Sequence, residues 1–544
     1  MSMNLNEITS PCGGDSGGLL NEGDSGGLLM NLNEITSVYF IGAGGIGMSA
    51  LIRYLRAKGK QVAGYDRTPS DLTGQLADEG VNIHFTEDVT LIPNEYRDKD
   101  KTWVVYTPAV PSSHKELEYF HTHGFTILKR SQLLGLITAS SRGLCIAGTH
   151  GKTTTSSMTA HLLKQSPIDC NAFLGGILKN YDSNLMLSDH SDLVVVEADE
   201  YDRSFHRLRP YMAVITSADP DHLDIYGTPQ AYRESFEQYT SLIRPGGVLI
   251  MKKGIDLTPS LQSDVRLFTY SATDETADFH AENIRIGNGE IFFDFVSPDI
   301  SVSGMRSGFR DVQTDVPFRD IQLGVPLRTN IENGIAAMAL ALLNGVTPEA
   351  LRAGMKTFAG VQRRFDFQVK NDRVVYIDDY AHHPQELQSS ILSIKELYKG
   401  RKVTGVFQPH LYTRTRDFVD GFAAALSLLD RLILLDIYPA REEPIPGVTS
   451  KIIFDKVTLK NKTLHKKEEL MEILEKEEID VLVTFGAGDI DRFVKPIREM
   501  LNEKTSNSYG TILNENSPNS YEAMLNENPS NPYGAMSNEK TKRL

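Results

Sequence analysis

The sequence contains little cysteine and no long apolar run. Its three cysteines, Cys12, Cys145 and Cys170, fit neither a disulfide framework nor the spacing of a metal site. No apolar run approaches the ~20 residues that cross a bilayer. The N-terminus also lacks the basic stretch and apolar stretch of a secretory signal. We therefore expect a cytoplasmic protein that does not insert into membranes.

Positive charge is also scarce. The chain of 544 residues has 56 Lys and Arg against 71 Asp and Glu, so its formal net charge is −15. This balance argues against binding to nucleic acid, and a phosphorylated ligand would need local positive sites. At ~150 residues per domain, the length indicates three or four domains.

Both ends of the chain carry short polar repeats. Residues 3–10 recur as residues 30–37, and Leu-Asn-Glu occurs near the C-terminus at Leu501, Leu513 and Leu525. Segments this rich in Asn, Ser, Pro and Gly bury too little apolar surface to fold alone. We predict disordered extensions over residues 1–37 and 501–544.

The most informative motif is a glycine turn between an apolar strand at residues 144–147 and a predicted helix. Such a turn points backbone N–H groups at one spot, and the helix dipole adds positive potential, so it can hold a polyphosphate. A lysine directly after the second glycine argues against an ordinary turn. The glycine spacing is shorter than usual, which makes this a variant phosphate loop. The residues predicted to bind ATP here are Gly148, Thr149, Gly151, Lys152, Thr153 and Thr154.

A second glycine loop follows the first predicted strand, at residues 38–41. The next strand ends at Asp66, and strand, glycine loop, helix, strand and acid together indicate a site for a nucleotide diphosphate. The motif does not say which nucleotide. A third strand at residues 103–106 ends in a loop that is either a ligand contact or an ordinary turn. The predicted contacts are Gly42, Ala43, Gly44, Gly45, Ile46, Gly47, Asp66, Thr107, Pro108 and Ala109.

Carboxylates cluster at the end of another apolar strand, at residues 192–200. Glu197 is the best placed to bind Mg²⁺ beside a phosphate loop, although a solvated acidic turn has the same pattern. His222 lies between carboxylates after the next strand. Its spacing fits a metal ligand and a capped surface turn equally well.

The last third of the chain places Asp, His and Arg residues after several strands. Because ligands of open α/β sheets bind at the carboxyl ends of strands, this pattern predicts a site for an anionic substrate. The residues concerned include His382, His410 and Arg414. Between about residues 265 and 325, short alternating runs instead predict an antiparallel insertion.

Taken together, these stretches resemble the Mur ligase family. The resemblance covers roughly residues 38–500, and its motifs are jointly specific; they lie at residues 42–47, 107–110, 148–154, 197–202, 219–224, 362–365, 378–384, 407–416 and 486–489. It implies an α/β fold in three domains. These are a Rossmann-like UDP-binding domain at 38–135, a central P-loop ATPase domain with a parallel sheet and a small antiparallel insertion at 136–358, and a Rossmann-like amino-acid-binding domain at 359–500.

The resemblance also implies an activity. A Mur ligase of the L-alanine-adding branch uses ATP to join L-alanine to the lactyl carboxylate of UDP-N-acetylmuramate through an acyl phosphate, in peptidoglycan precursor synthesis. The first glycine loop would hold the UDP diphosphate. The expected cofactors are ATP and two Mg²⁺ ions, and the expected state is a monomer or weak homodimer.

Catalytic roles follow from the same resemblance. Lys152 would neutralise the γ-phosphate of ATP, and His150 would lie near the muramoyl group. Thr153 and Glu197 would hold one Mg²⁺, and Glu197 with His222 a second. The remaining implied residues are Asn330 and Asn333 at the adenine, Tyr380 and His382 in the amino-acid pocket, and Arg363, His382, His410 and Arg414 at the reaction intermediate.

The sequence departs from the family pattern at two positions. Thr329 replaces the His of the stretch that usually contacts adenine, and Leu411 replaces the usual Arg after Gln-Pro-His. Some Mur ligases use a modified lysine beyond the histidine of the metal loop. No lysine lies between His222 and Lys252, as expected for the L-alanine branch.

Three other interpretations remain open. A recycling ligase that joins a tripeptide to the same UDP-sugar shares most of these motifs. A nicotinamide-dependent oxidoreductase could use the first glycine loop, but hydride transfer needs neither ATP nor Glu197. A nucleotide-binding scaffold without activity would not need Lys152, Glu197 and His222.

Overall fold

The computed structural model describes residues 32–107, 109–298, 318–440 and 442–515. The predicted contact Pro108 lies outside these residues, as do residues 1–31 and 516–544 of the predicted extensions. The described residues form two compact units. The first takes its described residues from within 32–282, 295–298, 318 and 332–355, and the second from within 283–294, 319–331 and 356–515.

The first unit begins with a five-stranded parallel sheet. Its elements are β1 (Ser37–Ile41), α1 (Ile46–Ala57), β2 (Gln61–Tyr65), α2 (Asp71–Asp78), β3 (Asn82–His84), β4 (Thr102–Tyr106), α3 (Lys115–Thr122), β5 (Thr126–Lys129) and α4 (Arg130–Ser140). The strand order is β3-β2-β1-β4-β5. From β1 the connections lead in one direction to β2 and β3, and from β4 they lead in the other direction to β5. The crevice at the point between β1 and β4, where this direction reverses, is where α/β sheets bind ligands. The strands predicted around residues 38–41, 61–66 and 103–106 are confirmed.

The phosphate loop follows the strand β6 (Arg142–Ala147) of a larger sheet of ten strands. Its region contains β6 (Arg142–Ala147), α5 (Lys152–Lys164), β7 (Asn171–Leu178), β8 (Ser183–Met186), β9 (Leu193–Glu197), β10 (Met212–Ile215), α6 (Leu223–Tyr226), α7 (Pro229–Thr240), β11 (Val248–Lys252), β12 (Arg266–Ser271), β13 (Phe279–Gly287), β14 (Glu290–Val296), β15 (Phe318–Gln322), α8 (Thr329–Leu343) and α9 (Pro348–Thr357). The strand order is β15-β14-β13-β12-β11-β10-β6-β9-β7-β8. The apolar run of β6 is buried between β9 and β10, which it pairs with in parallel.

The predicted antiparallel insertion begins later than residue 265. Strand β12 pairs in parallel with β11, and β13 with β12. The connection at residues 253–265 is long enough to return the chain to the same end of the sheet, as a parallel pair requires. The hairpin of β13 and β14 turns at Asn288 and Gly289, whose φ angles of 54° and 72° suit a tight hairpin turn. Residues 299–317 of this region lie outside the described residues.

A six-stranded sheet forms the body of the second unit. Its elements are β16 (Asp366–Lys370), β17 (Val375–Asp379), α10 (Pro384–Leu397), β18 (Val403–Phe407), α11 (Tyr412–Asp417), α12 (Val419–Leu426), β19 (Arg431–Leu435), α13 (Lys451–Lys456), β20 (Lys462–His465), α14 (Leu470–Lys476), β21 (Val481–Phe485) and α15 (Val494–Glu515). The order is β16-β17-β21-β18-β19-β20, and only β16 runs antiparallel to its neighbour.

Helix α15 continues past residue 501, where the sequence predicted the tail to begin. The side chain of Leu501 is buried in the core of the second unit. The Lys504 ammonium donates hydrogen bonds to the carbonyls of Leu474 and Glu475 at the end of α14. The predicted domain boundaries stay predictions. Among the described residues, no helix is long and apolar enough to cross a membrane.

Candidate active site

The phosphate loop has the predicted form, a turn from a buried strand into a helix. Gly148 and Gly151 have φ angles of 140° and 84°, which side chains other than glycine rarely adopt. A Cβ atom at Gly148 would lie 2.1 Å from the Thr216 hydroxyl oxygen, because the loop lies directly against the segment after β10. Helix α5 then begins at Lys152, so its N-terminal amides face the mouth of the loop.

Lys152 is held by Glu200, a carboxylate of the acidic stretch that follows β9. The Lys152 ammonium lies 2.7 Å from Glu200 Oε2 and donates a 2.6 Å hydrogen bond to the Gly148 carbonyl. Glu200 is buried, and burial raises its pKa while the charge of Lys152 opposes that rise. The ammonium group is thereby fixed at the loop, where a polyphosphate would meet it.

The structure brings Thr153 and Glu197 together. The Thr153 hydroxyl donates to Glu197 Oε1 at 3.1 Å, and the Gly175 amide of β7 donates to Oε2 at 3.1 Å. A Cβ atom at Gly175 would lie 2.3 Å from Oε2, so only glycine leaves the carboxylate in this position. A hydroxyl and a carboxylate are oxygen ligands of the kind that Mg²⁺ prefers, so the pair fits that ion.

His222 is the N-cap residue directly before helix α6 and has a positive φ of 51°. Its Nε2 atom lies 3.8 Å from Asp221 Oδ2, and its ring meets the Tyr201 ring at 5.2 Å. Among the described residues, no group of three or more His, Cys, Asp and Glu has an arrangement suited to a metal. A second ion held by Glu197 and His222 therefore stays a prediction.

The other predicted residues of the phosphate loop are held by their backbones or by neighbouring side chains. The His150 amide donates to the Ser217 hydroxyl at 2.8 Å, and the His150 side chain is exposed. The Thr149 hydroxyl donates to the Asp219 carbonyl at 2.7 Å. Asn333 in α8 accepts a 3.2 Å hydrogen bond from Thr155, one residue beyond the predicted loop.

Asn333 and Asn330 occupy different surroundings. Asn333 Oδ1 would lie 2.6 Å from a Cβ atom at Gly151, which places its amide against the phosphate loop. Asn330 belongs to the second unit, where it is buried and donates to the Val325 carbonyl at 3.1 Å. Thr329 is the first residue of α8. Contact of either asparagine with adenine stays a prediction.

The first glycine loop is shaped by the end of β2. The amides of Gly42 and Ala43 donate to the Tyr65 carbonyl at 2.8 and 3.0 Å, and the Gly44 amide donates to Asp66 Oδ2 at 2.7 Å. A Cβ atom at Gly42 would lie 2.5 Å from Thr107 Cγ2. Asp66, predicted as a ligand contact, thus holds the loop itself. The predicted contact Thr107 lies directly beside it.

Sequence reasoning missed the cation that lies beside this loop. The cation is the guanidinium of Arg130, the first residue of α4. Its Nη1 atom would lie 3.1 Å from a Cβ atom at Gly47. Its Nη2 atom is 3.7 Å from Asp199 Oδ2, beyond the end of β9. This guanidinium is a local positive charge of the kind that an acidic chain needs near a diphosphate. Sequence spacing could not show it, because α4 lies far along the chain from the loop.

In the second unit, Arg363 is surrounded by acceptors. Its Nη2 atom donates to the Gly486 carbonyl at 2.7 Å, and Nε lies 3.4 Å from Asp378 Oδ2. The guanidinium also lies 5.1 Å from the centre of the Tyr380 ring. Asp378 and its neighbour Asp379 are buried at the end of β17. Burial raises both pKa values, that of Asp379 to about 6.

Four predicted residues come together in the second unit. His382 Nδ1 lies 3.0 Å from the Tyr380 carbonyl oxygen, and the rings of His382 and His410 are 6.2 Å apart. Arg414 Nη1 lies 3.4 Å from His410 Nδ1. Burial lowers the pKa of His382, which favours the neutral imidazole. Leu411, which replaces the usual Arg, has a φ of 71° at the start of α11.

Parallel α/β sheets with two glycine loops at strand ends, one of them followed by a lysine that pairs with the buried Glu200, define a nucleotide-binding fold. The chain matches three family descriptions. These are "Mur ligase family, catalytic domain" over residues 37–142, "Mur ligase middle domain" over 146–341, and "Mur ligase, glutamate ligase domain" over 363–488.

Two relatives and one solved structure agree with these matches. The UDP-N-acetylmuramate–L-alanine ligase of Parabacteroides distasonis is 67% identical, covering 87% of this chain and 98% of that protein. That of Phocaeicola vulgatus is 61% identical and covers 87% and 100%. The crystal structure of the UDP-N-acetylmuramate–alanine ligase of Thermotoga maritima has a TM-score of 0.68 at 26% identity, covering 86% of this chain and 99% of that one. The chain belongs to the Mur ligase family.

Proposed function

We propose that this chain joins L-alanine to the lactyl carboxylate of UDP-N-acetylmuramate at the expense of ATP. The observation that carries this proposal is the 67% identity to a UDP-N-acetylmuramate–L-alanine ligase over nearly its whole length. The intact pair of Lys152 and Glu200 at the phosphate loop supports it. The reaction is an amide-forming step of peptidoglycan precursor synthesis.

The chemistry needs charge neutralisation and positioning more than covalent catalysis by the protein. A lactyl carboxylate oxygen attacks the γ-phosphorus of ATP, and ADP leaves. The neutral amine of L-alanine then attacks the carbonyl carbon of the acyl phosphate and loses a proton. The tetrahedral intermediate collapses to the amide and inorganic phosphate. Lys152 places a positive charge where the γ-phosphate carries negative charge.

Thr153 and Glu197 are the residues that would hold Mg²⁺, since their oxygens lie together at the loop. A bound Mg²⁺ ion neutralises phosphate charge. Arg130 supplies further positive charge, beside the glycine loop that we assign to the UDP diphosphate. In the second unit, we assign Tyr380 and His382 to the amino-acid pocket, and Arg363, His410 and Arg414 to anionic groups of the substrate.

Phosphate release from ATP tests the proposal. The assay contains UDP-N-acetylmuramate and Mg²⁺, and L-alanine, glycine, L-serine or the tripeptide is supplied in turn. Release that is fastest with L-alanine, together with the mass of the amide product, is the expected result. Release with the tripeptide alone would identify a recycling ligase. No release with any amine would support a scaffold without activity.

A further inference from the structure

A buried carboxylate in the first unit has no role in the proposed chemistry. Glu116 of α3 has no exposed surface, and its Oε2 atom lies 2.8 Å from the Tyr39 hydroxyl. His84 Nε2 lies 2.8 Å from the same hydroxyl and 3.5 Å from Glu116 Oε1. His84 Nδ1 lies 2.9 Å from the Thr86 carbonyl oxygen. Glu116, Tyr39, His84 and Thr86 are therefore linked in series by polar contacts.

The proton of the Glu116 carboxyl decides the direction of the hydrogen bonds among these residues. With Glu116 protonated, its carboxyl donates to Tyr39, the Tyr39 hydroxyl donates to His84 Nε2, and His84 Nδ1–H donates to Thr86. With Glu116 ionised, Tyr39 must donate its only hydroxyl hydrogen to the carboxylate. A neutral His84 can then donate to Tyr39 or to Thr86, but not to both. Loss of the proton therefore loosens the hold on His84 and on the loop after β3.

Burial favours the neutral forms of Glu116 and His84. Burial raises the pKa of Glu116 to about 7, and burial lowers the pKa of His84. The hydrogen bonds from the Tyr39 hydroxyl and from the Asp88 backbone lower the pKa of Glu116 in part, whereas the charges of Glu87 and Asp88 raise it, since like charges disfavour ionisation. The other titratable groups around these residues are Glu87 and Asp88 on that loop, Tyr65 and His114 beside His84, Tyr96 and Arg97 near Tyr39, and Lys115 on α3.

His84 in turn contacts both residues that shape the first glycine loop. Its carbonyl accepts a 3.1 Å hydrogen bond from the Asp66 amide, and its ring lies 5.5 Å from the Tyr65 ring. The Tyr65 carbonyl holds the amides of Gly42 and Ala43, and the Asp66 carboxylate holds the amide of Gly44. The position of His84 is therefore transmitted to the loop through two short contacts.

We propose that Glu116 is a positioning residue for the diphosphate loop. Protonated Glu116 holds His84, through Tyr39, in the orientation that supports Tyr65 and Asp66, and UDP-sugar binding weakens when Glu116 loses its proton. This inference rests on the proposed function, because it takes the first glycine loop as the UDP-sugar site. It further implies that binding of the UDP-sugar takes up protons near neutral pH.

Calorimetric titration of the full chain with UDP-N-acetylmuramate, without ATP, from pH 5.5 to 8.5 tests this proposal. Both phosphates of the ligand are diesters and its carboxylate stays ionised, so its own charge is constant over this range. We expect the wild-type Kd to rise about fivefold with pH, as the loss of one supporting hydrogen bond would produce. Titrations in buffers of different ionisation enthalpy should show proton uptake.

Three variants separate positioning from simple support of the fold. Glu116→Gln keeps a donor towards Tyr39 at every pH, so its Kd should match the low-pH wild-type value and stay flat. Tyr39→Phe removes the hydroxyl that links Glu116 to His84, so this variant should bind the UDP-sugar weakly, with a Kd that does not change with pH. Glu118→Gln, at an exposed position of the same helix, should keep the wild-type slope. In turnover assays, Tyr39→Phe should raise KM for the UDP-sugar and leave kcat unchanged.

A wild-type Kd that does not change with pH would overturn the inference. So would a Glu116→Gln variant that keeps the wild-type slope, since the titrating group would then lie elsewhere. If the wild-type chain bound no UDP-sugar at any pH, the proposed function would fail, and this inference would fail with it.

Discussion

Lys152 and Glu200 show how much a single pair of charges contributes to the candidate site. A buried carboxylate is costly unless a positive group compensates it, and here the compensating ammonium also faces the phosphate loop. The pair fixes a flexible side chain in advance of ATP binding. The site is thus preorganised for polyphosphate, which is the usual source of electrostatic catalysis in phosphoryl transfer.

Replacing Lys152 with Ala should reduce ATP-dependent phosphate release by roughly 10²- to 10³-fold or more, because the positive charge at the γ-phosphate is lost. Binding of UDP-N-acetylmuramate should survive, because the first glycine loop does not involve this residue. Lys164→Ala is the matched control. Lys164 ends the same helix, pairs with Asp169 at 2.7 Å and should leave activity unchanged. Loss of UDP-sugar binding in Lys152→Ala would show that the two loops are assigned wrongly.

At single residues, sequence spacing predicted the groups that lie within one loop and missed those brought in by neighbouring elements. The proximity of Thr153 and Glu197 was expected, because a strand end beside a phosphate loop commonly supplies the metal ligand. The pairing of Glu200 with Lys152 and the position of Arg130 depend on which elements lie side by side. No local pattern in the sequence contains that information.

Strand β7 illustrates how an element outside the phosphate loop shapes the site. It runs beside β9, with Ala172 opposite Val195 and Phe173 opposite Val196. This register places the Gly175 amide against Glu197 Oε2. The strand therefore fixes the direction of a carboxylate that belongs to its neighbour.

We expect Gly175→Ala to push the Glu197 carboxylate away from Thr153, because the new Cβ would lie 2.3 Å from Oε2. The Mg²⁺ concentration for half-maximal activity should rise about tenfold, the size of effect seen when a partner of a metal ligand is altered. A magnesium titration of phosphate release measures this. Gly74→Ala in α2, where a Cβ atom meets nothing within 4 Å, is the control and should titrate like the wild-type chain. An unchanged titration in Gly175→Ala would remove Glu197 from the ion site.

Apolar strands and the glycine turns after them were predictable because both signals are local. The parallel pairing of β12 was not, since alternation along one strand does not reveal the direction of its partner. The length of α15 was hidden for a related reason. Leu501 and Lys504 stand in a polar stretch, and only the core and the end of α14 show that they are anchored.

Across the whole molecule, the excess of acid matters most where carboxylates are buried. Glu116 lies in the first unit and Asp379 in the second, and burial raises their pKa values to about 7 and about 6. An acid with a raised pKa binds its proton more tightly in the folded state than in the unfolded state. Its contribution to stability is complete below the unfolded pKa and is lost as pH rises through the folded pKa.

Both units should therefore lose stability between about pH 4 and pH 7, by roughly 3 kcal/mol for each of these two acids. Hydrogen exchange followed by mass spectrometry can read the opening of each unit separately, which a single melting curve cannot do for a chain with two compact units. Glu116→Gln should flatten the pH dependence in the first unit only, and Asp379→Asn in the second only. Glu118→Gln, exposed on α3, should change neither. If the protection of both wild-type units, corrected for the pH dependence of the intrinsic exchange rate, were equal at both ends of this pH range, the two carboxyls would not be proton-bound in the folded state. The preference for a protonated Glu116 beneath the first glycine loop would then lose its physical basis.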